Sequence, residues 1–395
     1  MIIKSILDTD LYKITQQKFV LHHYPDVDVK YLFNNRDKSM KFNQKSLRII
    51  QDEINEMSKL RLTDDEYEWV KKELYFLDPM YNQYLSNYRF NPKQVEIHLD
   101  DYDNLYLEIK GKWRETILWE VPLMSIISEV YFKYVDNNWI DDKSQQIYIA
   151  NTKAQKLNSV GCKFADFGTR RRRNSETQDI VVNTMKNYDG FVGTSNPYMA
   201  MNHNVKALGT IAHETIMAVS VLESLNYPNR YTMKKWNMTY GAALGTYLPD
   251  CYTTDSFLKE FDLFYAKTFD GVRHDSGDPY KFTDKIINHY NKLKIDSTTK
   301  TIIFSDGLDV ETTIKIHEYC KGKIRCSFGI GTNFTNDFYT KDNTKSKPLN
   351  MVIKLDKVDD KNVCKLSDNP EKSIGNPSIT KIMKYIHLNE KLNLI

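Results

Sequence analysis

The sequence offers little that would tie it to a membrane, to nucleic acid or to an oxidising compartment. No stretch approaches the roughly 18 apolar residues that a membrane helix needs, and Asp8 and Asp10 interrupt the N-terminus before an apolar core of signal-peptide length. An excess of charge of one sign is missing too. With 55 basic against 52 acidic residues, nothing global draws the chain to nucleic acid or anionic lipid. Cysteine is scarce: Cys162, Cys251, Cys320, Cys326 and Cys364 are scattered and lack CxxC spacing, which excludes the usual zinc frameworks and a secreted disulfide scaffold. There is no GxxxxGK(S/T) loop, and no GxGxxG opens a helix after a strand. The expectation is a reduced, cytoplasmic protein that holds anionic ligands in a local site.

What is present is enough apolar material for a large core: 395 residues, 41% hydrophobic and 12% aromatic. Residues 1–140 mix strand-like runs (29–33, 95–99, 105–110) with helix-like ones (44–60, 64–74), which predicts an N-terminal α+β domain. From 141 to 340 a unit repeats in which a short β-rich run ends in a polar or glycine-containing cluster and an amphipathic stretch follows. The runs are 163–167, 190–192, 208–211, 248–254, 271–273, 301–304 and 324–328. Strands alternating with helices imply a parallel sheet, and chemistry at every strand end fits a closed α/β barrel better than an open doubly wound sheet. Residues 341–395 read as further strands (350–355, 362–366) of a C-terminal segment packing back on the N-terminal domain and barrel. The lysine-rich stretch 341–347 reads as a solvated loop.

Several strand ends carry residues suited to phosphate chemistry. Gly329-Ile330-Gly331-Thr332-Asn333 can offer unobstructed backbone N–H groups. Ile302 to Gly307 has some flavour of a ribose-phosphate loop, with an incomplete acidic pair. His213 follows one run and opens a helix, where a neutral imidazole can attack a phosphoryl group; the plainer reading is a polar residue at a helix start. Asp255, Asp275, Asp278 and Asp306 end neighbouring runs and are candidates to orient that ring or hold magnesium. The basic run Arg170 to Arg173 follows Phe167, whose ring can stack on a planar heterocycle. One or two of those arginines are expected to point inward and the rest to be surface.

In this order, the segments Asp8-Thr9-Asp10-Leu11-Tyr12-Lys13, Phe33-Asn34-Asn35-Arg36, Phe164 to Arg171, Gly193-Thr194-Ser195-Asn196, Gly209 to Glu214, Arg273 to Pro279, Ser305-Asp306-Gly307-Leu308, Phe328 to Thr332 and Lys365-Leu366-Ser367-Asp368 resemble the nicotinate phosphoribosyltransferase family. The resemblance implies an irregular α/β barrel and a homodimer with its active site at the subunit interface. It implies joining nicotinate to phosphoribosyl pyrophosphate in NAD salvage, with Mg2+, coupled to ATP through a phosphohistidine. Carried over, Phe167 and a partner subunit's Tyr12 would sandwich the pyridine, and Arg170 would sit near ring and phosphate. His213 would be phosphorylated and oriented by Asp255. Arg273 and Asp275 would hold the ribose and pyrophosphate region, and Ser305, Asp306, Gly331 and Thr332 the 5-phosphate. Related nicotinamide enzymes carry an aspartate where this chain has Ser195, whose hydroxyl is expected to donate to a carboxylate instead.

Overall fold

The computed structural model describes residues 1–37 and 39–390. Its first helix, Leu11–His23, has no solvent face over its first three turns: every residue from Leu11 to Val20 is buried. The polar ones are matched internally, Gln17 donating to the Arg114 carbonyl and Lys18 to that of Phe76, as buried polar groups require. Strand β1 (Asp28–Asn35) follows. The helices Gln44–Glu56 and Asp64–Glu73 start where capping boxes form, Asn43 with Ser46 and Thr63 with Glu66. The hairpin β2 (Val95–Leu99) and β3 (Leu105–Lys112) then adds antiparallel to β1.

The second half builds a parallel sheet from β4 (Phe164–Asp166), β5 (Phe191–Thr194), β6 (Thr246–Tyr247), β7 (Gly271–His274), β8 (Thr301–Phe304) and β9 (Arg325–Ile330), in the order β5-β4-β9-β8-β7-β6. Among the described residues this sheet does not close, so the expected barrel is replaced by a six-stranded parallel sheet with two edges. Two of the expected strands account for the difference. Residues 206–208 touch β5 through a single bridge, Ala207 to Thr194. The chain cannot continue there as a strand because the first helix occupies the flank: Leu11 N donates to Ser195 O at 2.7 Å, and a Cβ on Gly209 would lie 3.0 Å from Tyr12 N. The run 248–254 is cut short at Pro249, which has no N–H for a ladder; β6 ends at Tyr247 and a 3-10 turn, Pro249–Tyr252, takes over.

The stretch 341–347 is the tip and second strand of a hairpin, β10 (Phe338–Tyr339) with β11 (Lys345–Ser346), and Ser346 is buried. The chain then returns to the N-terminal sheet. Strand β12 (Met351–Val358) pairs antiparallel with β1 and β13 (Lys361–Asn362) with β12, giving the order β13-β12-β1-β3-β2. Strands β14 (Cys364–Lys365) and β15 (Ile374–Gly375) form a second small ribbon before the helix Pro377–Leu388. No helix among the described residues is long and apolar enough to cross a membrane.

Candidate functional site

The C-terminal ends of the parallel strands open into a cleft of about 580 Å³. Phe167 follows β4, Ser195 follows β5, Asp275 follows β7, Ser305 and Asp306 follow β8, and Gly331 and Thr332 follow β9. With Tyr12, Arg170, His213 and Arg273 they line one continuous surface, the position that a parallel α/β sheet gives its ligands.

At one end the wall is aromatic. The Phe167 ring lies on the backbone of Gly329, where a Cβ would fall 2.2 Å from a ring carbon; this glycine makes room for the ring rather than for a phosphate. The chain's own Tyr12 lines the cleft, with the Arg170 guanidinium 6.0 Å from its ring centre, so a tyrosine reaches this site without a second copy. Arg170 Nε is 3.7 Å from Asp10 Oδ2, and its Nη1 is 3.7 Å from Glu120 Oε1. Behind them Lys13, fully buried, bridges Glu120 at 2.5 Å and Glu214. Glu214 also accepts from Trp113 Nε1 at 2.7 Å and from the Tyr31 hydroxyl. Ser195 differs from expectation: its hydroxyl already donates to Asp10 Oδ1 at 2.6 Å, so its proton is committed to a protein acid rather than free for a substrate.

In the middle, His213 opens the helix His213–Leu222. Its Nε2 is 2.8 Å from Asp250 Oδ1. The carboxylate accepts, which assigns the proton to Nε2 and leaves the Nδ1 lone pair unprotonated. Asp250 Oδ2 accepts from Ser276 Oγ at 2.5 Å and faces Lys365 Nζ at 3.2 Å. Burial, with Lys365 beside it, pushes the His213 imidazole down to about 4 despite Asp250, so the ring is neutral near pH 7. Burial pushes Asp250 up, but His213 and Lys365 outweigh it and hold the acid well below the usual carboxylate range. Asp255 does not take part. It lies in the first turn of the helix Thr254–Glu260, 67% exposed, and pairs with Lys285 at 2.8 Å. Because the strand stops at Pro249, the acid at its end is Asp250.

The far end is suited to anions. Arg273 donates to Thr210 Oγ1 at 2.6 Å and lies 3.8 Å from Asp275, while its Nε is buried without a partner among the described residues. Burial raises Asp275, but Arg273, His213 and Lys365 together outweigh it and keep this carboxylate low. Asp275 Oδ1 accepts from Ser305 Oγ at 3.0 Å, and Asp306 pairs with Lys372. Gly307 turns the chain at φ +57°, a conformation that side chains resist. One ligand atom each from His213, Asp250 and Asp275 falls within 4.8 Å of the others. Both oxygens of Asp250 are already engaged, so Asp275 is the member with an oxygen to give a hard cation. Asp278 instead caps the helix Pro279–Lys292, accepting from Tyr280 N and Lys281 N.

The basic run has no surface half. Arg170 and Arg171 line the cleft. Arg172 is fully buried in a two-pronged pair with Asp8, at 2.7 and 2.8 Å. Arg173 is fully buried among Phe132, Trp139 and Phe338, its guanidinium carbon 3.6 Å from the Phe132 ring centre. Sequence reasoning also missed Asp250, Lys365, Lys354, Glu120 and the site role of Asp10. Asp10 and Lys365 stand in motifs quoted above without a role, which was the available signal.

The description "Nicotinate phosphoribosyltransferase (NAPRTase) family" matches residues 162–391, and its N-terminal domain matches residues 7–128. A nicotinate phosphoribosyltransferase from Methanosarcina mazei is 42% identical over 404 residues, covering 97% of this chain and 98% of that protein. Solved structures of nicotinate phosphoribosyltransferases from Vibrio cholerae and Porphyromonas gingivalis superpose with TM-scores of 0.93 and 0.92, at 33% and 35% identity. They cover 100% and 97% of this chain, and 95% and 99% of their own chains are matched. The chain belongs to the nicotinate phosphoribosyltransferase family.

Proposed function

We propose that this protein joins nicotinate to the ribose of phosphoribosyl pyrophosphate, releasing pyrophosphate, and that ATP drives the step through phosphorylation of His213. The observation that carries the reading is one cleft with an aromatic, arginine-bearing end, an anion-binding end, and a neutral imidazole between them. Phe167 and Tyr12 suit a planar ring, and Arg170 suits its carboxylate. Arg273 and the backbone around Gly307 and Gly331 suit phosphate groups. As pyrophosphate leaves C1, positive charge develops on the ribose, so these residues chiefly position the pyridine nitrogen and neutralise the leaving group. Mg2+, held by an oxygen of Asp275, would add charge neutralisation on the pyrophosphate when bound.

His213 fits the coupling role by its proton arrangement. With Nε2–H fixed on Asp250, Nδ1 attacks the γ-phosphorus of ATP; the N–P bond forms as the bond to the β-γ bridging oxygen breaks and ADP leaves. Asp250 stabilises the charge that the ring acquires. Attack of water on the phosphohistidine returns phosphate and the free imidazole. Helix N–H groups at the start of His213–Leu222 favour the incoming charge. A homodimer belongs to the same proposal, on the strength of the family resemblance, and sedimentation of the purified chain tests it. A cytoplasmic setting is supported by five unpaired thiols, four of them buried.

The test is pyrophosphate release with phosphoribosyl pyrophosphate and magnesium, comparing nicotinate with nicotinamide, each with and without ATP. Turnover with nicotinate that ATP stimulates, and that His213→Ala makes insensitive to ATP, is the expected result. Turnover with nicotinamide alone overturns the substrate assignment.

A further inference from the structure

We propose that Asp10 is a specificity-determining residue that takes up a proton as an aromatic carboxylate binds beside Arg170. The inference rests on the proposed nicotinate site and goes on to its selectivity. It begins from an arrangement that looks wrong for an anionic substrate. Asp10 is 3% exposed and lines the cleft. Its Oδ1 accepts the Ser195 proton at 2.6 Å and its Oδ2 lies 3.7 Å from Arg170 Nε. A carboxylate that pairs with this guanidinium therefore arrives next to a carboxylate that is already there.

The surrounding charges do not make room for both. Arg170 faces Glu120, and Lys13 is committed between Glu120 and Glu214; Arg171, the other guanidinium lining the cleft, turns its Nε to the Met351 carbonyl. Lys354 faces Glu120 and Arg170 from β12, and burial, with Lys365 and Arg170 nearby, lowers it to about 8. Two carboxylates crowded against one guanidinium repel each other, and where one of them is as buried as Asp10, sharing a proton is the usual resolution. Protonated Asp10 also changes what the site offers. Its hydroxyl donates to Ser195 Oγ, which frees the Ser195 proton to turn toward the ligand. A neutral carboxamide needs no such proton, because ionised Asp10 accepts from its NH₂. The same acid thus presents a donor to nicotinate and an acceptor to nicotinamide, and its protonation state decides between them.

The groups facing Asp10 are compatible with this. Arg170 and Thr169 face it from the turn after β4, Asp166 from the end of β4, Glu120 from the helix Glu120–Tyr134, and Tyr12 from the helix that Asp10 precedes. Burial raises Asp10 despite Arg170 and the Ser195 and Thr169 hydroxyls, so the uptake costs less than for an exposed aspartate.

Titration calorimetry of nicotinate into the full-length protein tests this at about pH 8.5, well above the ordinary carboxylate range. Repeating it in two non-phosphate buffers of different ionisation enthalpy gives the number of protons exchanged. The expected result is uptake approaching about one proton per nicotinate in the wild type, none for nicotinamide, and none for nicotinate with Asp10→Asn. In turnover at saturating phosphoribosyl pyrophosphate, the wild-type nicotinate KM should rise about tenfold per pH unit above the Asp10 pKa, and the Asp10→Asn value should stay flat. Nicotinate binding without proton uptake in the wild type overturns this proposal alone, whether or not the variant folds. Failure of nicotinate to bind or turn over at all overturns the substrate reading with it.

Discussion

Asp250 and Asp10 are both nearly sealed from solvent, 1% and 3% exposed, yet the two halves of the cleft treat them in opposite ways. Asp250 has an imidazole N–H at 2.8 Å, a hydroxyl at 2.5 Å and an ammonium at 3.2 Å. Against burial, these keep it ionised. Asp10 has the Ser195 hydroxyl at 2.6 Å, the Thr169 hydroxyl nearby and a guanidinium only at 3.7 Å; burial wins, and its pKa rises. Depth alone therefore does not set the charge of a buried acid here. What sets it is whether cations and donors reach contact distance, since charge-assisted contacts weaken steeply beyond it. The His213 half has a fixed charge state and suits a step that always runs the same way. The Arg170 half is left poised, and suits a choice between ligands.

The largest expected effect comes from undoing the fixed half. Asp250→Asn keeps the shape but loses the full acceptor that sets the His213 tautomer and the charge that steadies its phosphorylated form. ATP-stimulated turnover should fall by roughly 10²–10⁴-fold, with ATP-independent transfer reduced far less. Equal loss of both would mean that Asp250 serves the fold rather than the imidazole. Rapid-quench measurement of radiolabel transferred from ATP to the protein separates the two cases.

Acid stability probes the same half from the other side. An unfolded histidine titrates near 6.5, whereas His213 is lowered to about 4, first by burial and then by Lys365. Between those values the unfolded chain binds a proton that the folded one refuses. The stability owed to this group is therefore fully present above about pH 6.5 and is lost progressively as pH falls toward about 4, by about 3 kcal/mol at most. His23, lowered to about 4 mainly by burial and then by Lys235, adds a slope of the same sign. Chemical denaturation at several pH values should show a shallower acid limb for His213→Gln than for the wild type; parallel limbs would mean that His213 is not buried neutral.

Most of the cleft was legible because a β-rich run followed by a small or polar residue is a local pattern. Ser195, Asp275, Ser305 and Gly331 each follow such a run, Phe167 ends one, and all five line the cleft. What was illegible depends on partners distant in sequence. Arg172 reads as a surface charge until Asp8, 164 residues away, is placed against it. Lys365 reaches Asp250 only because β12 returns to pair with β1 and carries the next strands across the site. Barrel closure failed for the same reason, since nothing local in residues 208–211 says that the first helix occupies the flank beside β5.

The poised half is sharpened by Ser195→Asp. The new carboxylate would stand beside Asp10, where Ser195 Oγ is now 2.6 Å from it, so the two acids would compete for one proton even before a ligand arrives. The nicotinate kcat/KM should fall by roughly 10–100-fold and the ratio of nicotinamide to nicotinate turnover should rise. An unchanged ratio would remove Ser195 from the account of selectivity and leave Arg170 and Asp10 to carry it.

The smallest expected effect is also the cleanest check on which acid serves the imidazole. Asp255 stands five residues after Asp250, in the same short stretch of polar residues, but its only described charge partner is Lys285 on the surface, with both side chains about half exposed or more. Exposed pairs of this kind contribute about 0–1 kcal/mol, and no atom of Asp255 lines the cleft. Asp255→Ala should therefore leave ATP stimulation and both KM values within about twofold of wild type, with a stability change of roughly 0.5 kcal/mol or less. A large loss of ATP coupling in Asp255→Ala with Asp250→Asn near wild type would reverse the assignment made from the 2.8 Å contact between His213 and Asp250. It would then require a rearrangement of the turn after Pro249 that brings the helix Thr254–Glu260 toward His213.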